Sequence, residues 1–113
     1  MNFQEASFVS SFEDIQDEVR QVAVEHGWEE GEFNVGEKIA LMHSELSEAL
    51  EYERTGNRSD HIPEFQGVEE EFADVIIRIM HYAQARGLRV GEAIIAKNEF
   101  NKSRPHKHGG KKF

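Results

Sequence analysis

Apolar side chains recur at steps of three and four residues through most of this 113-residue chain. That spacing places them along one side of an α-helix, whereas a half-buried strand would alternate apolar and polar residues. No alternating run of four or more residues stands out. Only two prolines occur, Pro63 and Pro105, and both fall between the periodic segments. The pattern therefore predicts an all-α fold.

Capping and chain-breaking residues divide this pattern into four predicted helices. Their first residues lie near Ser10 or Ser11, Asn34, Val68 and Val90, and their last residues lie near His26, Thr55, Arg86 and Phe100. The first two begin with a Ser or Asn followed three residues later by Glu, which is the capping-box pattern. For the second helix, the alternative is that Glu37 is simply an acidic residue in the first turn and forms no capping box with Asn34. Glycines after the first three helices favour the left-handed conformation that ends a helix.

Two of the predicted helices differ in how much of their surface is apolar. The first carries a single stripe, formed by Phe12, Ile15, Val19, Val22 and His26. The third is apolar over most of its circumference, because Ile77 and Met80 lie off its main face. A helix of that kind is usually buried on two sides. In so small a chain we expect the second side to be a subunit interface.

The charge of the chain excludes some partners. It has 22 acidic and 13 basic residues, a net charge of −9, and no cysteine. Five basic residues and no acid follow Asn101, which leaves a net charge of −14 on residues 1–101. An acidic body repels phosphate backbones, so we expect no nucleic-acid partner. We also expect no membrane span and no signal peptide, and a cysteine-free chain fits the cytoplasm.

Two pairs of acids interrupt the apolar faces of the second and third helices. On a helical wheel of about 100° per residue, Glu45 lies inside the apolar arc of the second helix and Glu48 lies beside it. On the third helix, Glu71 and Asp74 border the apolar stripe in the same way. Antiparallel packing of these helices would bring the four carboxylates together.

Converging carboxylates repel one another and resist burial unless a cation compensates their charge. Oxygen ligands without sulfur suit a hard ion, so the pattern predicts a site for Mg²⁺ or Mn²⁺. The alternative is that these acids pair with Lys38, Arg78 or solvent at the edge of the bundle. A di-iron bundle is excluded more directly, since it needs Glu-x-x-His on two helices, and the chain contains none.

Other candidate binding residues lie outside these two helices. Lys97 and Asn101 continue the stripe that Val90 and Ile94 begin on the predicted fourth helix. Facing inward, they could hold a phosphate and the edge of a sugar or base, while ordinary fraying at a helix C-terminus is the alternative. Trp28 is the only tryptophan. It is a candidate for stacking on a base or for plugging a core or an interface.

Three blocks of the sequence resemble the MazG-type, all-α nucleoside triphosphate pyrophosphohydrolases. They are EKIALMHSELSEALEYERTG (37–56), VEEEFADVIIRIMHYA (68–83) and KNEFNKSRPHKHGGKKF (97–113). The signature of that family is E-x-x-E followed by E-x-x-D, and here the 22 residues 49–70 separate the two pairs. The resemblance covers roughly residues 20–113. Ser44 stands where many members have a second glutamate, which leaves the number of metal ions open.

The resemblance implies a four-helix-bundle-like MazG fold over residues 1–104, a homodimer or a dimer of dimers, and a flexible basic tail over 105–113. It implies Mg²⁺-dependent cleavage of a nucleoside triphosphate between the α and β phosphates, to monophosphate and pyrophosphate. The implied catalytic residues and metal ligands are Glu45, Glu48, Glu71 and Asp74. The implied substrate-binding residues are Lys97 and Arg104 for the phosphates and Asn101 for the nucleotide. From their chemistry alone, Trp28 is a further candidate through stacking, and Lys111 is one if the basic tail closes over the phosphates. A solvated tail without a role is the alternative for the last of these.

Two other functions stay open. A non-catalytic helical dimer could bind a nucleotide or a protein partner. A phosphoribosyl-nucleotide pyrophosphohydrolase would share the chemistry and differ in its substrate. Release of pyrophosphate separates the binding protein from either enzyme.

Overall fold

Four α-helices form the fold in the computed structural model, which describes residues 1–105. They are α1 (Phe3–Glu25), α2 (Val35–Thr55), α3 (Gly67–Arg86) and α4 (Val90–Lys102). No strand occurs within these residues, and one isolated bridge pairs Arg58 with Gln66 between α2 and α3. None of these four helices combines the length and the apolarity needed to cross a membrane. The predicted all-α fold is thus confirmed for residues 1–105.

The predicted start of the first helix is wrong. α1 begins at Phe3, and the Ser10 pattern falls inside a continuous helix. The side chain of Asn2 accepts a hydrogen bond from the N–H of Glu5 at 2.8 Å, and Glu5 accepts one from the N–H of Asn2 at 2.9 Å. Because this reciprocal capping box satisfies the free amides upstream, the helix has no need of a second cap at Ser10.

The bounds of the other helices lie close to the predicted ones. Asn34 caps α2 by accepting a hydrogen bond from the N–H of Glu37 at 2.9 Å. Gly56 follows α2 with a φ of +69°, and Gly87 follows α3 with a φ of +66°. Glycine adopts this left-handed conformation without a steric cost, so both residues end their helices as predicted.

α3 is the central helix of the fold. α2 packs along one side of it, α1 packs along another, and the main partner of α4 is α1. Among the described residues, the buried apolar core is small and consists of Val9, Ala23, Ala49, Met80 and Ala83. Met80 is therefore a core residue of α3, although it lies off the predicted apolar face.

The predicted apolar stripe of α1 is only partly correct. Ile15 and Val22 are exposed. The buried side chains of this helix are instead Val9, Gln16 and Ala23. Gln16 donates a hydrogen bond to Gln84 of α3 at 3.0 Å. This polar contact joins α1 to α3, and periodicity of apolar residues cannot reveal it.

A close approach fixes the end of α2 against the start of α3. The aromatic ring of Tyr52 lies over the backbone of Gly67, and a Cβ atom at that position would overlap the ring. Tyr52 follows Glu45 by about two helical turns and lies on the same side of α2. The contact therefore holds the two helices together next to the acidic residues.

We expect Gly67→Ala to destabilise the protein by about 1–3 kcal/mol, because the added methyl group must displace the Tyr52 ring. Gly36→Ala is the matched control, since Gly36 lies in the first turn of α2 and an added Cβ there meets nothing closer than 3.5 Å. The control should stabilise the protein by up to about 1 kcal/mol. Denaturant unfolding followed by circular dichroism measures both variants. Equal unfolding free energies for the two would contradict the contact.

Candidate metal centre

Three carboxylates meet between α2 and α3. Glu45 comes from α2, and Glu71 and Asp74 come from successive turns of α3. One oxygen from each carboxylate lies within 4.8 Å of the oxygens of the other two. The two helices thus bring together three of the four acids that the sequence singles out. We call these three residues the acidic triad.

Glu48, the fourth predicted ligand, lies at the edge of the acidic triad. It follows Glu45 by about one turn of α2, and it is exposed to solvent. Hydrogen bonding and charge from Glu48 contribute to the raised pKa of Glu71. Glu48 is therefore a close neighbour of the triad without being one of its three converging ligands.

Two members of the acidic triad are buried. Glu45 is 9% exposed and Glu71 is 6% exposed. The Oε2 atom of Glu71 is buried and has no hydrogen-bond partner within residues 1–105. Since buried polar atoms in proteins are nearly always paired, an orphaned carboxylate oxygen beside two other acids has a free position for a ligand. A cation fits that position in charge and in ligand chemistry.

The ionisation of the acidic triad is uneven. Burial, together with hydrogen bonding and repulsion from Glu45 and Glu48, raises the pKa of Glu71 to about 8. Burial also opposes ionisation of Glu45, but hydrogen bonds from Glu71 and Arg78 outweigh it and lower the pKa of Glu45. Burial and the charge of Glu45 raise the pKa of Asp74. Since the pKa of Glu71 is about 8, its carboxyl group is mostly protonated at neutral pH in the metal-free protein.

Arg78 of α3 is in direct contact with the acidic triad. Its Nε and Nη2 atoms both lie near Oε1 of Glu45, at 3.1 Å and 3.0 Å. No other ion pair reaches the triad within residues 1–105, so pairing with Lys38 is not found there. The alternative interpretation of the acids thus holds for Glu45, which pairs with Arg78, and for Glu48, which is exposed to solvent. Arg78 follows Asp74 by about one helical turn, so the sequence alone indicates that the two residues lie on the same side of α3.

Glu70 has a different role from its neighbour Glu71. Ser59 donates a hydrogen bond to one oxygen of Glu70, and Nδ1 of His61 lies 2.8 Å from the other. The hydroxyl oxygen of Ser59 also accepts a hydrogen bond from the N–H of Ile62 at 3.0 Å. Both oxygens of Glu70 are therefore engaged with the α2–α3 loop. This network, which sequence reasoning missed, holds the first turn of α3 in place and leaves Glu71 to face α2.

Of the predicted substrate-binding residues, Lys97 and Asn101 lie on α4, and Arg104 lies just after it. Lys97 and Asn101 are exposed along one open groove of α4, so their predicted inward orientation is wrong. The reason is that α4 packs mainly on α1. Lys97 and Arg104 instead converge on the ring of Phe100, with Nζ at 4.6 Å and Cζ at 6.0 Å from its centroid.

Two further predicted substrate contacts have different outcomes. Trp28 is 64% exposed and lies beside His26, with ring centroids 4.8 Å apart. That exposure excludes a core plug within the chain and leaves base stacking or an interface contact open. Lys111 and residues 106–113 of the predicted tail lie outside the described residues.

Comparisons with protein-family models, with curated proteins and with solved structures give no match for this chain. The functional interpretation therefore depends on the geometry of the acidic triad and on the motifs that surround it. The resemblance to the MazG type therefore stays a prediction.

We expect the stability of the metal-free protein to fall as the pH rises from about 4.5 to about 8. Over this interval Glu71 keeps its proton in the folded chain and loses it in the unfolded chain, so unfolding releases a proton and is favoured by higher pH. Glu71→Gln should flatten this part of the profile, because the amide does not titrate. Glu53→Gln, which removes an exposed acid from α2, should keep the wild-type slope. Melting temperatures measured by circular dichroism with a chelator present test this, and an unchanged slope in Glu71→Gln would contradict it.

Proposed function

We propose that this chain is a Mg²⁺-dependent nucleoside triphosphate pyrophosphohydrolase of the MazG type. The observation that carries the proposal is the buried, unpaired Oε2 atom of Glu71 beside two further carboxylates. Such an arrangement is costly to keep without a cation, so its retention in the fold indicates a binding function. The E-x-x-E and E-x-x-D spacing supports the choice of family.

The donor set fits a hard divalent ion. Glu45, Glu71 and Asp74 would hold it, with Glu48 as an additional ligand from the edge of the triad. Carboxylate oxygens without sulfur or imidazole favour Mg²⁺, with Mn²⁺ as a substitute. When bound, such an ion supplies neutralisation of phosphate charge and activation of water.

The residues of the chain have separate tasks in the proposed reaction. Water attacks the α-phosphorus, the bond from that phosphorus to the bridging oxygen breaks, and pyrophosphate leaves. Glu48 is the best placed to accept a proton from the attacking water, since it is exposed and no ion pair to it occurs within residues 1–105. Glu45 and Asp74 would hold the ligand position between α2 and α3 together with Glu71.

A second copy of the chain is part of the proposal. Large apolar side chains on neighbouring parts of α2 and α3 remain exposed, namely Ile39, Leu46, Leu50, Phe72 and Ile76. Large exposed apolar side chains on two packed helices are typical of a subunit interface. A homodimer, or a dimer of dimers, would cover them. Since α4 packs mainly on α1, a second copy would also be a source of Lys97, Asn101 and Arg104 for the acidic triad.

The activity is tested by incubating the protein with a panel of ribonucleoside and deoxyribonucleoside triphosphates and Mg²⁺, and by measuring pyrophosphate separately from orthophosphate. We expect pyrophosphate and the monophosphate in equal amounts. Asp74→Asn and Glu48→Gln should each lower the rate by about 100-fold or more while the helical circular dichroism spectrum is retained. The exposed control Glu53→Gln should keep the wild-type rate.

Three outcomes would count against the proposed nucleoside triphosphate pyrophosphohydrolase. No pyrophosphate from any nucleotide at high protein concentration would favour the non-catalytic binding protein. Orthophosphate as the product would indicate attack at the γ-phosphorus and another mechanism. Cleavage of a phosphoribosyl-nucleotide alone would keep the chemistry and change the substrate.

The subunit interface is tested by Leu50→Glu, which places a charge on the exposed apolar surface of α2. A charge in the middle of an apolar interface is left without a partner, so we expect the assembly to dissociate. Val24→Glu on α1 is the matched control, because Leu50 and Val24 are 55% and 53% exposed. Analytical ultracentrifugation should show an oligomer for the wild type and the control and a monomer for Leu50→Glu. A monomeric wild type would contradict the interface.

A further inference from the structure

Two nitrogens of the Arg78 guanidinium group converge on a single carboxylate oxygen of the acidic triad. Its Nε and Nη2 atoms both lie within hydrogen-bond distance of the same atom, Oε1 of Glu45. A guanidinium carries five N–H donors in a planar fork, so most of its donor capacity is not used by Glu45. The side chain of Arg78 is 39% exposed, whereas that of Glu45 is 11% exposed. The side chain of Arg78 is thus more accessible to solvent than the carboxylate that it contacts.

The charge balance of the site changes when a divalent ion enters. In the metal-free protein, Arg78 is the cation that compensates Glu45. An ion held by Glu45, Glu71 and Asp74 would repel the guanidinium at short range and would compete with it for the same carboxylate. Arg78 would then be an exposed cation with most of its donors unused, at the mouth of a site whose substrate is a polyanion.

We propose that Arg78 exchanges partners when the site is loaded: it pairs with Glu45 in the metal-free protein and with a phosphate of the nucleotide once a divalent ion occupies the acidic triad. The inference rests on the proposed function and adds a substrate-binding residue to it. The planar fork of arginine suits phosphate oxygens, which it binds through two parallel hydrogen bonds. Within one chain, this assigns phosphate recognition to α3 rather than to α4 alone.

A simpler role for Arg78 makes the opposite prediction for one measurement. If Arg78 only held Glu45 in its orientation, its removal would weaken binding of the metal. If Arg78 competes with the metal, its removal strengthens binding of the metal and weakens binding of the nucleotide. The signs of the two changes therefore separate the roles.

The experiment uses Arg78→Gln, with Arg89→Gln as the control that removes the same charge from an exposed arginine at the start of α4. Isothermal titration calorimetry measures the affinity for Mn²⁺ without nucleotide, and then the affinity for a non-hydrolysable nucleoside triphosphate analogue at saturating Mn²⁺. For Arg78→Gln we expect Mn²⁺ to bind about threefold to tenfold more tightly and the analogue about tenfold more weakly. Arg89→Gln should match the wild type in both.

Arg78→Lys keeps the charge and removes the planar fork. We expect its Mn²⁺ affinity to stay near the wild-type value, while the analogue binds more weakly than to the wild type. Circular dichroism of each variant confirms that it is folded. Weaker Mn²⁺ binding in Arg78→Gln, or unchanged affinity for the analogue, would overturn the exchange.

Failure of the exchange and failure of the proposed function give different results. A wild type that releases pyrophosphate, with an Arg78→Gln variant that binds the analogue normally, would overturn the exchange and leave the function standing. If Arg78→Gln binds Mn²⁺ more tightly and the analogue more weakly, while the wild type releases no pyrophosphate, the exchange stands and the proposed function is overturned. A wild type that binds no Mn²⁺ at all would overturn both.

Discussion

Carboxylates buried between two helices need a proton or a cation, and the arrangement of α2 and α3 depends on how that need is met. In the metal-free chain, the raised pKa of Glu71 favours its protonated form, and Arg78 pairs with Glu45. One oxygen of Glu71 still has no partner within residues 1–105. The acidic triad is therefore compatible with the folded chain and still has a free ligand position at Glu71. This combination is expected of a binding site.

Contacts at the end of α2, in the α2–α3 loop and at the start of α3 support the acidic triad. At the start of α3, Tyr52 packs on Gly67, and Ser59 and His61 engage Glu70. These contacts lie in the loop and at the helix ends, so they keep α2 and α3 aligned although the apolar core is small. A second copy of the chain would add the apolar burial that one copy does not provide.

Sequence patterns were most informative where a local rule decides the structure. Asn34 and Gly56 bound α2 as predicted, because a cap and a left-handed glycine act within one or two turns. Helical register also placed Glu45 on the side of α2 that meets Glu71 and Asp74 of α3. The start of α1 was missed because two capping patterns compete and the upstream one, at Asn2, prevails.

The rest of the site depends on contacts between elements that are distant in sequence. Periodicity shows that Lys97 and Asn101 share a stripe, but it does not show which helix that stripe faces. The side of α1 that faces α3 includes Gln16, whose hydrogen bond to Gln84 no apolar pattern contains. In the same way, the exposure of Glu48 and the pairing of Arg78 follow from how α2 lies on α3.

Proton release on metal binding tests the central claim most directly. If Mg²⁺ binds where Glu71 keeps its proton, calorimetric titrations near neutral pH, in buffers of different ionisation enthalpy, should show about one proton released per ion bound. The released fraction should decline above the Glu71 pKa of about 8, and Glu71→Gln should release none. Tight Mg²⁺ binding by the wild type without proton release would contradict the account.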